Sequence, residues 1–178
     1  MGPKITLYDS NNTAPVGTHD FGNIKAQVPS NVLAINIWNN KDGQDAVSDL
    51  REPEIEVLDI NGLTADTDVP RDKWVQVNVP AIDGDDTTFV AIGGDVTKKI
   101  RANNNVSTEY IIKGTPNAGD PILNPENVCS VKFRLVAPIN STPGNKAFKI
   151  RIVGYYTWYI PRLLNQSGFY ILYFQTFI

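Results

Sequence analysis

Two stretches in the last third of the chain alternate apolar and polar side chains with a period of two, and this alternation constrains the fold more than any other feature. The stretches cover residues 130–137 and 147–153, and Lys149 and Arg151 take polar positions in the second. The apolar positions are Val131, Phe133, Leu135, Ala137, Phe148, Ile150 and Ile152. Such a period is typical of half-buried strands with one solvated face. Because Pro143 and Gly144 in the intervening loop suit a type II turn, the sequence predicts a long antiparallel hairpin.

The rest of the chain adds short strands that are separated by turn signals. They are predicted at residues 5–8, 32–38, 54–60, 74–79, 88–92, 98–101 and 110–112. The pattern of residues 54–60 slips at Val57 and Leu58, which predicts a bulge. Residues 44–51 suit either a helical turn or an irregular loop, and the proline-rich residues 114–127 predict a long loop. We therefore expect an all-β protein, an antiparallel β-sandwich of the immunoglobulin-like or jelly-roll type.

The C-terminal segment differs from the strands before it, because residues 169–178 are apolar on both faces. A strand of this kind must be covered on both sides or it promotes aggregation. Pro161 and Arg162 interrupt the apolar run, and the uninterrupted part is far shorter than the roughly 20 residues of a membrane span. The segment is interpreted either as a central core strand or as an arm that docks on a neighbouring subunit.

This difference divides the chain into a β-sandwich domain, residues 1–157, and a C-terminal aromatic segment, residues 158–178. The segment is expected to bind a partner, and no membrane is expected to take part. The residues expected to make the contact are Trp158, Tyr159, Phe169, Tyr170, Leu172, Phe174 and Phe177.

Charge is distributed unevenly along the chain. Residues 1–95 contain sixteen acidic and six basic residues, whereas residues 96–178 contain three acidic and ten basic ones. Either strands of the two halves interleave and the charges mix, or two oppositely charged faces favour head-to-tail contacts between copies. The basic residues alternate along strands instead of forming a patch with interleaved aromatics, so nucleic acid is not an expected partner.

The sequence offers little for catalysis. The single cysteine, Cys129, is expected to be an inert buried residue, and the single histidine, His19, has no ligand-spaced partners. Residues 93–99 lack the spacing of a phosphate loop and predict a turn, and the acidic residues 83–86 lack EF-hand spacing. Nothing singles out a carboxylate pair for glycoside hydrolysis. No catalytic residue, metal or cofactor is therefore predicted, and an enzyme is the least favoured class.

Three tryptophans have several interpretations. Trp38 and Trp74 stand opposite the apolar faces of their strands, which places them on the outer face, at an interface or under the C-terminal segment. Together with Trp158 they suit contact with a partner, ordinary packing, or stacking on a sugar.

Four runs carry a resemblance to a known group of proteins. They are KWVQVNV at 73–79, TTFVAIGG at 87–94, KIRANN at 99–104 and KAFKIRIVGYY at 146–156. Their texture resembles that of the small β-sandwich virion proteins encoded in the head and tail modules of tailed bacteriophages. The likeness covers roughly residues 5–157 and includes no invariant motif, and the segment after Thr157 departs from it.

The resemblance implies a non-enzymatic structural protein of the virion that decorates the capsid or builds the neck, tail or baseplate. Such a protein forms homo-oligomers and binds capsid or tail proteins. The N-terminus lacks an apolar signal region, so synthesis in the host cytoplasm is expected. The alternative is a carbohydrate-binding module that recognises a surface glycan of the host.

Overall fold

The computed structural model describes residues 1–104, 109–158 and 166–177, with the backbone alone for residues 157, 158 and 166–177. Its strands are β1 Ile5–Asp9, β2 Leu33–Asn39, β3 Leu50–Asp59, β4 Val75–Asn78, β5 Val90–Ile92, β6 Lys98–Lys99, β7 Ile111–Ile112, β8 Val128–Leu135, β9 Phe148–Trp158 and β10 Gln166–Phe177. The helices are α1 Asp68–Arg71, α2 Pro80–Asp83 and a 3-10 turn, Pro125–Asn127. The predicted all-β class is confirmed.

Two antiparallel sheets pack face to face. The first has the order β1-β2-β8-β4-β5, and the second has the order β10-β9-β3-β6 with β7 also paired to β3. Alternate residues of both sheets point inward and form one buried cluster, which includes Ile37 and Phe133 from the first sheet and Ile55 and Ile152 from the second. The fold is therefore an antiparallel β-sandwich. Its immunoglobulin-like or jelly-roll type stays a prediction.

The hairpin predicted from residues 130–137 and 147–153 is wrong, although both stretches form strands. β8 lies between β2 and β4, and β9 lies between β3 and β10. Their apolar faces meet across the core, so the loop between them crosses from one sheet to the other, about 10 Å away. Alternation shows which face of a strand is buried, but it does not show whether two strands pair or face each other.

Of the two alternatives predicted for residues 44–51, the structure matches the irregular loop up to residue 49, while β3 starts earlier than predicted, at Leu50. Residues 44–49 form an irregular loop and no helical turn, and the backbone N–H of Val47 donates to the Gly114 carbonyl at 2.8 Å. The register shift of β3 against β9 falls between Arg51 and Glu54, not at Val57 and Leu58. Pro53 lies at this shift, where its missing N–H removes no regular ladder bond.

The C-terminal segment forms β10, which stands at the end of its sheet. β10 pairs with β9 from Gln166 opposite Trp158 to Phe177 opposite Phe148. Residues 159–165 lie outside the described part of the chain, and they include Tyr159. The contact predicted for the aromatic residues of this segment and the domain boundary at residue 158 stay predictions.

Acidic residues of the first half of the chain pair with basic residues of the second half. Six such ion pairs are Asp49–Lys113, Glu52–Lys99, Glu56–Arg151, Asp68–Lys146, Asp83–Lys98 and Asp86–Lys132, with N–O distances between 2.5 and 3.2 Å. The strands of the two halves interleave, and the charges mix on the surface. Of the two alternatives for the uneven charge, the described residues match mixing and give no support to two opposed faces.

Candidate functional site

A pocket of about 720 Å³ opens at the end of the sandwich where β2 begins, β8 ends and β9 begins. Its apolar lining includes Phe21, Ile24, Ala26, Val69, Trp74, Leu135, Ala137, Pro143 and Phe148. Its polar side chains are those of Asp20, Asn23, Ser141, Thr142, Asn145 and Lys146. Residues 20–26 form one side of its mouth, and residues 141–146 form the other. Phe21 is buried and stacks on Phe148 with 6.3 Å between ring centroids, so the N-terminal side of the pocket is tied to the core.

Trp74 forms one wall of this pocket. Its backbone bridges α1 and the loop after β8, because its N–H donates to the Val69 carbonyl at 3.1 Å and its carbonyl accepts from Val136 at 2.8 Å. The side chain is 5% exposed, and its indole Nε1 is buried without a hydrogen-bond partner. A buried donor that stays unpaired costs roughly 1–3 kcal/mol. Trp74 comes immediately before β4 and belongs to the buried core cluster, whereas the sequence pattern placed it opposite the apolar face of its strand.

A charged cluster lies at the mouth of the pocket beside Trp74. Lys146 Nζ donates to Asp68 Oδ2 at 2.8 Å and to Thr142 Oγ1 at 2.7 Å, and the Thr142 hydroxyl donates to Asp68. These hydrogen bonds, first from Lys146 and then from Thr142, lower the pKa of Asp68 to about 2. The cluster pairs its own charges and links loop 141–146 to helix α1, so the mouth of the pocket is held in shape.

Trp38 lies at the opposite end of the molecule and is fully buried. It faces the outer side of the first sheet, where its Nε1 donates to Asn12 Oδ1 of the β1–β2 connection at 2.7 Å. The connection therefore covers Trp38, which fits ordinary packing among the predicted alternatives. Trp38 and Trp74 do not form a surface platform, and the side chain of Trp158 lies outside the described part of the structure.

The loop of residues 114–127 covers the end of the sandwich near Trp38. A cluster of buried asparagines holds this loop in place. Its members are Asn39, Asn40, Asn117 and Asn127. Asn40 Nδ2 donates to the Gly114 carbonyl at 3.1 Å, and Asn117 Nδ2 donates to the Asn40 carbonyl at 2.8 Å. Hydrogen bonds from buried asparagine amides therefore fix the position of this loop, which the sequence indicated only through its prolines.

The tip of this loop exposes two aliphatic side chains, Ile122 at 86% and Leu123 at 73%. The carboxylate of Asp120 accepts hydrogen bonds from their backbone N–H groups at 2.8 and 3.3 Å. Asp120 also accepts from the Asn124 N–H through its carbonyl, at 2.9 Å. The turn is thus ordered while its side chains face solvent. Sequence reasoning missed this pair because an Ile-Leu dipeptide alone gives no signal of exposure.

The remaining candidates have structural roles. Asp83 binds Lys98, Asp85 caps the turn at Thr87 and Thr88, and Asp86 binds Lys132. The hydrogen bonds to Asp85, of which the Thr88 hydroxyl contributes most, lower its pKa to about 2. Among the described residues there is no group of three or more potential metal ligands.

Two further predictions concern single elements. Gly93 and Val96 exchange reciprocal backbone hydrogen bonds of 2.9 and 3.0 Å, so this region is a tight turn, as predicted. Cys129 is fully buried, and burial raises its pKa to about 12. A thiol with this pKa stays protonated and unreactive, which agrees with the inert role expected for it. No helix within the described ranges is long and apolar enough to cross a membrane.

Comparison with known proteins identifies no family for this chain. No protein-family model matches the sequence, and no curated protein matches it. One solved structure with a related shape is a family 123 glycoside hydrolase from Clostridium perfringens, described in connection with glycolipid glycan hydrolysis. The superposition covers 99% of this chain and 27% of the hydrolase, with 10% identity and a TM-score of 0.40. The chain thus spans about a quarter of that enzyme, and a similarity this weak assigns no activity.

Proposed function

We propose that this chain is a non-enzymatic structural protein of a bacteriophage particle. It acts by binding copies of itself and the capsid or tail proteins of the same particle. The observation that carries the assembly part is the position of β10, a twelve-residue strand at the end of its sheet. The sequence resemblance carries the assignment to a phage particle.

A long strand at a sheet edge is a template for pairing with another chain. Proteins that stay monomeric usually blunt such edges with charges, prolines or very short strands. Residues 169–174 of β10 read FYILYF and contain none of these devices. Pairing or covering by a neighbouring subunit removes the hazard, so the sequence and position of β10 support a role in assembly.

The test is the solution mass of the full chain, measured by light scattering over a concentration series. We expect a defined oligomer that dissociates on dilution. The double variant Ile171→Lys/Leu172→Lys places charges at consecutive positions of β10, and we expect it to have a smaller mass. The matched control is Val90→Lys on β5, which is the edge of the other sheet and has a 39% exposed side chain. This control keeps the wild-type mass.

Circular dichroism and urea unfolding show whether each variant is folded. The dilution series needs no variant, so it tests self-association even where the β10 variant does not fold. A full chain that is monomeric at every concentration contradicts the proposed function.

A carbohydrate-binding module is the second candidate, and the pocket beside Trp74 favours it. A concave site with a tryptophan wall and polar residues at its mouth suits a sugar ring. Titration of the monomeric chain with a glycan panel, followed by tryptophan fluorescence, tests this candidate. Saturable quenching in a chain that does not self-associate favours the module over the structural protein.

A further inference from the structure

The pocket beside Trp74 carries polar side chains that the fold leaves without partners. The amides of Asn23 and Asn145 and the hydroxyl of Ser141 line it, and none of these three side chains forms a hydrogen bond within the described ranges. Asn23 lies on the β1–β2 connection and Asn145 on the β8–β9 connection, and both are exposed. The pocket therefore offers free hydrogen-bond donors and acceptors from both sides of its mouth.

The charges at the mouth disfavour an anionic ligand. Lys146 is neutralised by Asp68, since its Nζ lies 2.8 Å from Asp68 Oδ2. Asp20 also lines the pocket, and its Oδ1 accepts from the Gly22 N–H at 2.7 Å, but it takes part in no ion pair within the described ranges. The charge that remains is that of one carboxylate, which repels a carboxylate or phosphate group on a ligand.

The free groups match the hydroxyls of a sugar. An asparagine amide holds one acceptor oxygen and two N–H donors in a plane, and a serine hydroxyl both donates and accepts. A sugar hydroxyl also donates and accepts, so two neighbouring hydroxyls of one ring bind both ends of the same amide. A purely apolar occupant would instead take Asn23, Asn145 and Ser141 out of water without giving them partners, which costs free energy.

Trp74 adds a buried donor to this set. Among the described residues that line the pocket, Trp74 alone has a buried polar atom without a hydrogen-bond partner, its Nε1. A ligand oxygen that accepts from Nε1 satisfies a group that the fold leaves unpaired. A planar nucleobase fits less well, because Phe21 and Phe148 stack on each other and leave no slot between their faces. The volume of about 720 Å³ lies within the roughly 300–1,000 Å³ of small-molecule sites.

We infer that this pocket binds an uncharged pyranose, whose hydroxyls Asn23 and Asn145 hold from the two sides of the mouth while Trp74 Nε1 donates to one of its oxygens. The inference rests on the glycan binding proposed above as the second candidate function, and it deepens that function by naming the class of sugar and the residues that bind it. It does not require a monomer, so a structural protein of a particle can also carry the site.

The experiment mixes the full chain with the methyl glycosides of glucose, galactose, mannose and N-acetylglucosamine, one at a time. Ligand-observed saturation-transfer NMR detects binding at any protein mass, so self-association does not interfere. Asn23→Ala/Asn145→Ala removes the free amides, and Ala26→Phe narrows the pocket from an exposed position but keeps both amides. The matched control Asn11→Ala removes an exposed asparagine of the β1–β2 connection that does not line the pocket.

We expect at least one of the four glycosides to bind saturably and more tightly than the methyl glycoside of glucuronic acid. The double variant should bind it at least tenfold more weakly, Ala26→Phe should abolish binding, and Asn11→Ala should bind like the wild type. The indole N–H signal of Trp74, assigned with Trp74→Phe, should move on saturation while that of Trp38 stays in place. Circular dichroism checks the fold of each variant, and the Trp74 signal of the wild type locates the sugar even where a variant does not fold.

Several results overturn the inference, and each is distinct from failure of the structural role. If none of the four glycosides binds, the inference fails, and light scattering decides the structural role separately. Binding that leaves the Trp74 signal in place, or that the folded double variant retains in full, places the sugar elsewhere. Tighter binding of the glucuronide or of uridine than of every neutral glycoside contradicts the ligand class. A monomeric full chain that binds a neutral glycoside at Trp74 overturns the structural role alone.

Discussion

At the scale of single residues, the buried asparagines are the feature whose burial most needs compensating hydrogen bonds. Asparagine is usually a surface or turn residue, and burying its amide without partners costs free energy. Asn127 Nδ2 lies 2.9 and 3.0 Å from the carbonyl oxygens of Thr115 and Lys113, and its Oδ1 accepts from the Thr115 hydroxyl at 3.1 Å. The Asn127 amide therefore supplies hydrogen-bond donors to backbone carbonyl groups that pair with no strand.

Replacement of Asn127 by alanine should lower the free energy of unfolding by about 2–4 kcal/mol, because it leaves several buried polar groups unpaired. Asn127→Asp should cost more, since it removes two donors and directs a negative oxygen at carbonyl oxygens. Urea unfolding followed by circular dichroism measures both changes. The control Asn124→Ala alters a residue in the same loop whose side chain caps no helix, and it should change stability by less than about 0.5 kcal/mol. Equal effects of Asn127→Ala and Asn124→Ala would falsify the anchoring role.

At the scale of elements, the turn between β5 and β6 is held against helix α1. Gly93 has a φ of 137°, and a Cβ atom added there lies 2.3 Å from the Pro70 carbonyl oxygen. Gly144 in the loop before β9 has a similar φ of 126°, but no atom lies within 4 Å of an added Cβ. The two glycines therefore share backbone strain and differ in packing.

Alanine substitutions at Gly93 and Gly144 separate the effect of backbone strain from the effect of packing. Gly93→Ala and Gly144→Ala should both destabilise the protein through positive φ, and Gly93→Ala should cost at least about 2 kcal/mol more because backbone atoms must move. Thermal and urea unfolding of both variants measures the difference. A difference below about 0.5 kcal/mol means that the turn is free to move away from α1 at no cost.

The elements also show what a linear pattern leaves open. The alternation at residues 130–137 and 147–153 correctly predicted β8 and β9, because period-two patterning is local. Their assignment to different sheets was not predictable, since a strand packed across the core and a strand paired beside it show the same alternation. The shift at Pro53 shows the same limit, because bulge position depends on the partner strand.

At the scale of the whole molecule, the fold brings the acidic first half and the basic second half together. Asp68 and Lys146 illustrate this, because they are 78 residues apart and form an ion pair, and Lys146 lines the pocket. A carboxyl group whose pKa is lower in the folded state stabilises that state above its unfolded pKa, and loses this effect as pH falls through the folded pKa. For Asp68 this window runs from the ordinary value of 3.8 down to about 2.

The variant Asp68→Asn should therefore be less stable than the wild type at pH 7, and the difference should shrink as pH falls from 4 towards 2. Urea unfolding at several pH values measures the difference, with Asp66→Asn as the control because Asp66 is an exposed aspartate two residues before Asp68, outside α1. A difference that stays constant down to pH 2 contradicts the lowered pKa of Asp68.

The sequence by itself determined the all-β class, the approximate positions of the strands and the unusual character of the C-terminal segment. These properties depend on residues that are close together in sequence, because side-chain alternation and turn chemistry act over a few positions. Only the tertiary structure decided which strands pair, which asparagines are buried, and how the charges of the two halves meet. It also brought Phe21, Trp74 and Phe148 together around one pocket. Each of these depends on residues far apart in the chain, whose proximity is a result of folding and has no local signal.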